Sequence, residues 1–332
     1  MAKQVQARII STGIYLPERI FTNSDFEKIV DTTDEWIVSR TGIRERRIAG
    51  QDEFTSDMGT AAAQDALKKA GMTAADIDLI LVATMTPDYT SSSTASIIQA
   101  KLGANCVASL DIQAACSGYL YTLATAKAYI ESGMYRNVLV VAAEKMSSFI
   151  DYTDRSTCIL FGDGAAASIV SNQGEGLFIN AVTLGSDGEM AELIVIPAGG
   201  SRLPATAKTV SDKMHYFKMA GKETFKHAVR RMVMASNQCL EKAGIEDRAL
   251  SWLIPHQANI RILEAVAKSF HIPEERMVKT VHKYGNTSAS SIPLALYELV
   301  ERENIGEHEH ILLVAFGAGL TWGAIVLTKI MK

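Results

Sequence analysis

The stretch Ala108–Leu123, ASLDIQAACSGYLYTL, decides how the chain folds. The apolar residues of Val107–Ile112 predict a buried strand, and the small residues Ser117 and Gly118 predict a turn into a helix. Cys116 therefore lies where a strand passes into a helix N-terminus, whose unpaired N–H groups and dipole favour an anion. Because such a position can lower the pKa of a thiol, Cys116 is a candidate nucleophile. The alternative is a small buried residue, as most free cysteines are.

Composition and charge limit the class of protein. The chain has 332 residues, of which 48% are hydrophobic and 21% charged, as in an α/β protein of one large or two ordinary domains. The net charge of -4 offers no basic field for nucleic acid. We find no signal-peptide pattern and no apolar run of transmembrane length. The cysteines show no metal-binding spacing and favour a reducing compartment, so we expect a cytoplasmic protein without a metal, membrane or nucleic-acid partner.

A repeat runs through the chain at one ungapped offset of 173 residues. Leu67–Gly71 (LKKAG) recurs as Leu240–Gly244 (LEKAG). Val138–Ala142 (VLVVA) recurs at the same offset as Ile311–Ala315 (ILLVA). These matches predict two fused copies of one unit in which strands alternate with helices, so that helices cover mostly buried sheets. The repeat alone permits either one layered α/β sandwich or two α/β domains side by side.

The repeat also indicates where the chemistry lies. Cys116 corresponds to Ala289, which directly follows a polar turn containing Asn286. His256 follows the predicted strand Trp252–Ile254, at the carboxyl end where α/β sheets bind ligands. A lone histidine there is more often structural. A cysteine, a histidine and an asparagine at three such ends, however, match a nucleophile, a proton or hydrogen-bond partner and a donating amide.

Two glycine-rich turns remain. Phe316–Gly323, FGAGLTWG, follows the last repeated strand and offers either a backbone N–H for an oxyanion or tight packing between layers. Phe161–Ala167, FGDGAAA, does not follow a first strand and is not GxGxxG. A nicotinamide-dependent enzyme is therefore disfavoured.

Six separated motifs resemble the 3-oxoacyl-acyl-carrier-protein synthase III family of the thiolase-like superfamily. In chain order they are TTDEWIVSRTGIRERR from Thr32, DIQAACSGYLY around Cys116, FKMAGKETFKHAV from Phe217, IPHQAN around His256, YGNTSASSIPLAL around Asn286 and FGAGLTWG from Phe316. The resemblance implies a thiolase-like α/β fold, in which duplicated βαβαβαββ halves form a five-layered αβαβα sandwich, and it implies a homodimer. We expect residues 1–175 to form the half with the nucleophile and residues 176–332 the half with the His/Asn pair.

The resemblance also assigns site residues. It makes Cys116, His256 and Asn286 catalytic, with the backbone N–H groups of Cys116 and Ala318 as the oxyanion hole. The residues implied for coenzyme A and its pantetheine arm are Thr32, Trp36, Arg40, Arg155, Gly221, Phe225 and Asn259. Those implied for the acidic carrier protein are Lys226 and Arg261. Thr90 and Ser91 fall where the family sets the acyl pocket, partly across the dimer, and their small side chains predict starters larger than acetyl.

The implied activity is the initiating condensation of type II fatty acid synthesis. Cys116 would take an acyl group from acyl-coenzyme A, and decarboxylative Claisen condensation with malonyl-carrier protein would follow, without a cofactor or a metal. Ala318 and Leu320 depart from the family's usual glycine and phenylalanine, and the methyl group of Ala318 restricts φ in the oxyanion turn. One alternative stays open: a same-fold acyltransferase or condensing enzyme of secondary metabolism with another acceptor. A non-catalytic module that binds acyl thioesters is disfavoured, because Cys116 and Asn286 are both present.

Overall fold

The computed structural model describes residues 5–330. Its strands are β1 (Arg8–Tyr15), β2 (Ile20–Thr22), β3 (Glu45–Arg47), β4 (Leu79–Ala83), β5 (Ala108–Ile112), β6 (Asn137–Glu144), β7 (Gly164–Ser171), β8 (Gly176–Ser186), β9 (Ile194–Val195), β10 (Lys218–Met219), β11 (Leu250–Pro255), β12 (His310–Gly317) and β13 (Thr321–Ile330). Its α-helices are α1 (Asn23–Phe26), α2 (Asp34–Thr41), α3 (Thr55–Ala70), α4 (Thr94–Leu102), α5 (Gly118–Glu131), α6 (Arg155–Cys158), α7 (Ala207–Ser211), α8 (Gly221–Ala243), α9 (Ile260–Ser269), α10 (Val281–Tyr284) and α11 (Ser291–Arg302).

Strands from both halves of the chain form one large mixed sheet in the order β11-β12-β13-β8-β1-β7-β6-β4-β5. The two repeats meet in the middle, where β1 pairs with β8 through Arg8–Phe178 and Ile9–Leu177 alone. Hydrogen bonds between β1 and β8 join the two halves of the chain in one sheet. The division of the chain into residues 1–175 and 176–332 therefore stays a prediction.

Alternating side chains on each strand separate the layers. On β4, Leu79 and Leu81 pack with the central helices α5 and α11, whereas Ile80 and Val82 pack with α3 and α4. On β12, Leu313 packs with the same central helices, whereas its neighbours Leu312 and Val314 pack with α8 and α9. Because β4 and β12, from the two halves of the sheet, both pack on α5 and α11, the sheet folds around these helices and its halves form two separate layers. The layer order is helices, half-sheet, helices, half-sheet, helices. The predicted five-layered αβαβα sandwich is confirmed, and the side-by-side alternative is wrong.

The 173-residue offset holds for several elements in three dimensions. Strands β6 and β12 occupy equivalent positions, and the helices α5 and α11 begin at equivalent residues. The correspondence fails at β5: at the same offset residues 281–285 begin with helix α10, and Met277 forms only a single bridge with Leu253 of β11. The second half therefore lacks one strand of the predicted βαβαβαββ order within the described residues.

Strand β5 was expected to be buried, and this expectation is wrong. It lies at the edge of the sheet, where β4 is its one pairing partner among residues 5–330. Leu110 is accordingly exposed, and the carboxylate of Asp111 accepts hydrogen bonds from the backbone N–H groups of Thr94 and Ala95. An edge strand presents unpaired backbone groups that favour another strand.

Helix boundaries follow ordinary capping rules. Helix α2 begins after Thr33, whose hydroxyl accepts a hydrogen bond from the N–H of Trp36, and it ends at Gly42 with a left-handed φ of 75°. The three-residue spacing of Thr32 and Glu35 predicts a capping box that starts one residue earlier, and the cap at Thr33 shows that this prediction is wrong. No helix in the described part of the chain is both long and apolar enough to cross a membrane.

The contact between β1 and α3 yields a stability prediction. A Cβ at Gly13 would overlap the backbone nitrogen of Ala66 on α3, whereas a Cβ at Gly188 meets no atom within 4 Å. We expect Gly13→Ala to lower the free energy of unfolding by about 2 kcal/mol, because overpacking displaces the helix. Chemical denaturation measures this, with Gly188→Ala as the matched control. Equal midpoints for the two variants would contradict the prediction.

Candidate active site

Cys116 lies in a single 3-10 turn, Ala115–Ser117, between β5 and α5. Ala115 has a left-handed φ of 45°, which turns the chain sharply into the helix. The last residue of β12, Gly317, packs against this turn: a Cβ built there would lie 2.7 Å from the backbone nitrogen of Cys116. A side chain at position 317 would therefore cover the N–H of Cys116, and glycine leaves that N–H accessible.

The pKa of the Cys116 thiol is raised, whereas its position at a helix N-terminus had predicted a lowered pKa. Burial raises its pKa to about 12, and the negative charge of Glu144 acts in the same direction. The nearby hydroxyl of Ser288 acts against this rise in pKa. Desolvation raises the pKa of Cys116 by more than the helix N-terminus lowers it, so the resting group is a thiol. Its proton must therefore leave when the sulfur attacks.

His256 follows β11 and is almost fully buried. Its Nδ1 lies 2.7 Å from the hydroxyl oxygen of Ser291, an oxygen that also accepts from the backbone N–H of Gln257 at 3.4 Å. We infer that Ser291 donates its own proton to Nδ1, which would place the ring proton of the neutral imidazole on Nε2. Burial lowers the pKa of His256 to about 3, so the ring is neutral at physiological pH.

Asn286 is held on both sides by backbone. Its N–H donates to the carbonyl of Leu160 at 2.8 Å, and its carbonyl accepts from the N–H of Gly162 at 3.1 Å. The side-chain Oδ1 accepts a hydrogen bond from the backbone N–H of Ser288 at 2.9 Å. Its amide Nδ2 is therefore oriented as a donor.

The turn after β12 supplies a further backbone donor. The hydroxyl of Thr321 lies 2.9 Å from the carbonyl oxygen of Ala114 and 3.0 Å from that of Ala318, and its one proton is shared between them. This contact joins the turn to the segment before Cys116. Ala318 is not among the described residues with positive φ, so its methyl group is accommodated without a left-handed backbone. Leu320 is fully buried and exchanges backbone hydrogen bonds with Asp187.

One pocket brings most of the predicted residues together. The predicted residues that line it are Cys116, Gly221, Phe225, His256, Asn259, Asn286 and Ala318. The rest of its wall is largely apolar and includes Met85, Phe161, Phe217, Met232 and Phe316. The nucleophile, two side-chain donors and a backbone donor turn thus share a mostly apolar cavity, where hydrogen bonds to a developing charge are strong.

Trp36, Arg40 and Arg155 form a separate cluster near the entrance. The guanidinium carbon of Arg155 lies 4.8 Å from the Trp36 ring centroid, and that of Arg40 lies 5.6 Å from it. Helix α2, which carries Trp36 and Arg40, is joined to the start of α9 by a hydrogen bond of 3.0 Å from Arg261 to the carbonyl of Ser39. Because α9 begins next to Asn259, the cluster lies beside the pocket rather than in it.

Three predicted positions are placed differently from the rest. Thr90 and Ser91 line a different surface pocket together with Asp111 and Gln113, so they do not line the Cys116 pocket of the same chain. Their loop precedes α4 and lies beside the exposed edge of β5. Thr32 is not a helix cap, and its hydroxyl is buried without a partner among residues 5–330.

Sequence reasoning missed two supporting residues, Ser291 and Glu144. Ser291 corresponds to Gly118 at the 173-residue offset, so the repeat could have indicated that it lies beside the catalytic turn. Glu144 ends a fully buried strand, and nothing in the local sequence distinguishes its carboxylate from one that reaches solvent. Within the described ranges no group of three or more His, Cys, Asp or Glu side chains could hold a metal ion.

Two family models match the chain. The model described as 3-Oxoacyl-[acyl-carrier-protein (ACP)] synthase III matches residues 110–188, and the one described as the C terminal of the same synthase matches residues 240–329. These two ranges contain Cys116, His256 and Asn286.

Whole-chain relatives agree with the family models. A beta-ketoacyl-[acyl-carrier-protein] synthase III from Chlamydia pneumoniae is 54% identical, over 99% of this chain and 98% of its own. The crystal structure of 3-oxoacyl-[acyl-carrier-protein] synthase III from Aquifex aeolicus VF5 is 45% identical with a TM-score of 0.89, and covers 97% of this chain and 99% of its own. The crystal structure of the priming beta-ketosynthase from the R1128 polyketide biosynthetic pathway is 36% identical with a TM-score of 0.90, and covers 99% of this chain and 98% of its own.

The burial of His256 yields a spectroscopic prediction. Because desolvation lowers its pKa to about 3, the neutral ring persists from pH 8 down to pH 5, and no titration of His256 should appear in that range. Nitrogen-15 NMR of labelled histidine measures this, with the resonance assigned by its loss in His256→Gln. In Ser291→Ala the ring should lose its fixed Nε2–H tautomer. A titration of His256 near the ordinary value of ~6.5 would refute the prediction.

Proposed function

Because the chain belongs to the 3-oxoacyl-[acyl-carrier-protein] synthase III family, we propose that Cys116, His256 and Asn286 divide two half-reactions between them in one pocket. The chain is an acyltransferase, the initiating condensing enzyme of fatty acid synthesis. The observation that supports this division is the neutral His256, whose Nε2–H lies in the same pocket as the free amide of Asn286 and the thiol of Cys116.

In the first half-reaction the sulfur of Cys116 attacks the carbonyl carbon of acyl-coenzyme A. A new carbon–sulfur bond forms, the bond to the coenzyme A sulfur breaks, and the thiol proton passes to the departing thiolate. The N–H groups of Cys116 and Ala318 hold the oxyanion, since Gly317 leaves the first of them accessible. Loss of one such donor typically costs ~100- to 1000-fold in rate.

In the second half-reaction His256 and Asn286 act as hydrogen-bond donors. Nε2–H and Nδ2–H donate to the thioester carbonyl of malonyl-carrier protein and stabilise the enolate that forms as carbon dioxide leaves. The enolate carbon attacks the acyl-Cys116 carbonyl and the bond to sulfur breaks, which yields 3-oxoacyl-carrier protein. The Cys116 thiolate then takes up a proton from solvent, and the resting thiol is restored. A neutral imidazole suits this role, because a donor is needed and a fixed positive charge in the apolar pocket would be costly.

The Trp36 cluster is the proposed adenine site. A planar base between the Trp36 ring and the Arg155 guanidinium needs about 7 Å, two van der Waals spacings of ~3.5 Å. The guanidinium carbon of Arg155 lies only 4.8 Å from the centroid of the Trp36 ring. A bound base must therefore displace Arg155 from its hydrogen bond with the carbonyl of Asp31. Arg40 is then free to meet a phosphate. The pantetheine arm would follow Thr32, Gly221, Phe225 and Asn259 towards the thiol, and no cofactor is required.

Lys226 and Arg261 are the proposed contacts for the acidic carrier protein. Lys226 is exposed on α8 beside the pocket residue Phe225 and pairs with Glu223 at 2.9 Å. An acidic partner would have to take the place of Glu223. The chain as a whole has a net charge of -4, so attraction depends on this local basic surface.

A homodimer is the expected assembly, in a cytoplasmic setting. The exposed edge of β5 supports it, because the edge carries the apolar Leu110 and the nearby loop residue Tyr89 is 64% exposed. Thr90 and Ser91 lie on this side, so they would reach the partner's acyl pocket rather than their own. All four cysteines are free, as a reducing compartment requires.

One alternative keeps the pocket and changes the pathway. The likeness to a priming ketosynthase of a polyketide pathway supports a condensing enzyme of secondary metabolism. In that case acyl-Cys116 would form normally, and malonyl-carrier protein from fatty acid synthesis would fail to discharge it.

The division of labour predicts opposite defects in two variants. His256→Ala should lower malonyl-carrier decarboxylation by about 100-fold and leave Cys116 acylation within a few-fold of the parent, because it removes an enolate donor. Cys116→Ala should abolish acylation and retain decarboxylation. Coenzyme A release and carbon dioxide release measure the two steps separately. Equal losses of both steps in His256→Ala would count against the proposal.

The small side chains of Thr90 and Ser91 predict a broad starter range. Acylation rates with isobutyryl- and octanoyl-coenzyme A should lie within about tenfold of the acetyl rate. Ser91→Phe should slow octanoyl transfer and spare acetyl transfer, because in the proposed dimer a larger side chain would shorten the acyl pocket of the partner subunit. Intact-protein mass spectrometry over time measures each adduct. A strict preference for acetyl in the parent protein would contradict this prediction.

A further inference from the structure

The turn between β12 and β13, which we call the Ala318 turn (residues 318–320), carries one of the two proposed oxyanion donors. Its last residue, Leu320, exchanges two backbone hydrogen bonds with Asp187, which directly follows β8. The N–H of Asp187 donates to the carbonyl of Leu320 at 2.8 Å, and the N–H of Leu320 donates to the carbonyl of Asp187 at 2.9 Å. The position of the Ala318 N–H is therefore linked to that of Asp187.

The side chain of Asp187 is held by a residue of helix α8. Its Oδ2 accepts a hydrogen bond from the guanidinium of Arg231, and the two side chains form an ion pair. Its Oδ1 accepts a hydrogen bond of 3.3 Å from the backbone N–H of Glu189, at the start of the next 3-10 turn. Because a hydrogen bond between two ionised groups is among the strong contacts in proteins, Arg231 fixes the Asp187 side chain.

Arg231 is buried, with 9% of its surface exposed, although arginines are mostly found at the surface. Its guanidinium carbon lies 4.4 Å from the ring centroid of Trp322, the second residue of β13. That ring lies directly over Gly185, where a Cβ would come within 2.5 Å of it. A buried cation needs an opposite charge or an aromatic face, since desolvation without them is costly. Arg231 thus contacts the strand that follows the Ala318 turn and the residue that is hydrogen-bonded to the turn.

Helix α8 places this ion pair next to the pocket and outside it. Thr224, Ala228 and Met232 line the Cys116 pocket at a spacing of four residues. Arg231 follows Thr224 by seven residues, so it projects from nearly the same face of the helix. Neither Arg231 nor Asp187 lines the pocket, so the pair contacts the Ala318 turn on the side away from the cavity.

We propose that Arg231 and Asp187 are positioning residues of the oxyanion hole, whose ion pair holds the Ala318 turn through the backbone hydrogen bonds of Leu320. The Ala318 N–H is thereby kept aimed at the thioester oxygen when the sulfur of Cys116 attacks. A donor that is fixed before the reaction costs no reorganisation when the oxyanion forms. The inference rests on the proposed oxyanion role of Ala318 and adds two residues that touch neither substrate.

Two reactions of the Cys116 sulfur separate positioning from general damage. In acylation the sulfur attacks the thioester carbonyl of acetyl-coenzyme A, and negative charge develops on the carbonyl oxygen. In alkylation by iodoacetamide the sulfur attacks the methylene carbon, iodide leaves and the thiol proton passes to solvent. Because no oxyanion forms in alkylation, a displaced oxyanion donor slows acylation alone. Loss of folded protein or of a reactive thiol would lower both rates together.

Arg231→Met removes the cation and keeps a long side chain against Trp322. We expect the single-turnover acylation rate at saturating acetyl-coenzyme A to fall by about ten- to 100-fold, because a group misplaced by ~1 Å can cost 100-fold. The concentration at half-saturation should change by less than about threefold, because the lost contact belongs to the transition state. The alkylation rate should equal that of the parent. Intact-protein mass spectrometry over time measures both adducts.

Lys127→Met is the matched control. Lys127 forms an ion pair with Glu131 on α5, and their side chains are 20% and 27% exposed, against 10% and 26% for Arg231 and Asp187. Neither Lys127 nor Glu131 lines the Cys116 pocket, so the control should keep both rates. Parent-like acylation in Arg231→Met would overturn the inference. An equal fall of acylation and alkylation in Arg231→Met, or the same selective fall in Lys127→Met, would overturn it as well.

Asp187→Asn breaks the same contact from the other side. The amide leaves the backbone hydrogen bonds to Leu320 available and removes the charge that holds Arg231, so acylation should fall while alkylation is unchanged. The double variant Arg231→Met/Asp187→Asn should acylate no more slowly than the slower single variant, because both changes remove one interaction. Losses that multiply in the double variant would contradict the inference.

Asp187→Asn also keeps the test decisive if Arg231→Met does not fold. Parent-like acylation in Asp187→Asn would then overturn the inference. Failure of the proposed function is distinguishable, because in that case the parent protein itself would gain no acetyl group at Cys116, while iodoacetamide would still alkylate the thiol.

Discussion

The catalytic arrangement depends on the close contact between two equivalent turns from opposite halves of the chain. A Cβ on Gly118 would lie 3.1 Å from Cβ of Ala83 and 3.3 Å from Cβ of Ala289, so small residues allow the central helices to begin side by side. Because the two turns lie side by side, the thiol of Cys116 and the amide of Asn286 open into one pocket. Any larger residue at this contact would separate the two halves of the site.

Burial then decides which protonation states the pocket holds. It keeps His256 neutral and Cys116 a thiol, and it raises the pKa of Glu144 to about 7. The resting site consequently carries few full charges. Its catalytic groups besides the thiol are oriented hydrogen-bond donors: Nε2–H of His256, Nδ2–H of Asn286 and backbone N–H groups. Such donors stabilise an oxyanion or an enolate when it forms and cost little reorganisation beforehand.

Much of this could be predicted from the sequence, because the repeat and the short motifs are local patterns. The five layers and the meeting of Cys116, His256 and Asn286 were expected. The exposed edge of β5, the cap at Thr33 and the remote loop of Thr90 were not, since they depend on which strand neighbours which and on single-residue geometry. The raised pKa of Cys116 was also missed: a helix N-terminus is visible in sequence, whereas desolvation and a carboxylate 28 positions further along are not.

The central claim is that one sulfur carries the starter and one pocket then condenses it. The most direct measurement is a single-turnover chase followed by intact-protein mass spectrometry. Acetyl-coenzyme A should add one acetyl group at Cys116, and malonyl-carrier protein should then remove it with one carbon dioxide and one 3-oxoacyl-carrier protein per site. An acetyl adduct that persists, or that is lost to water without forming the condensed product, would contradict the account.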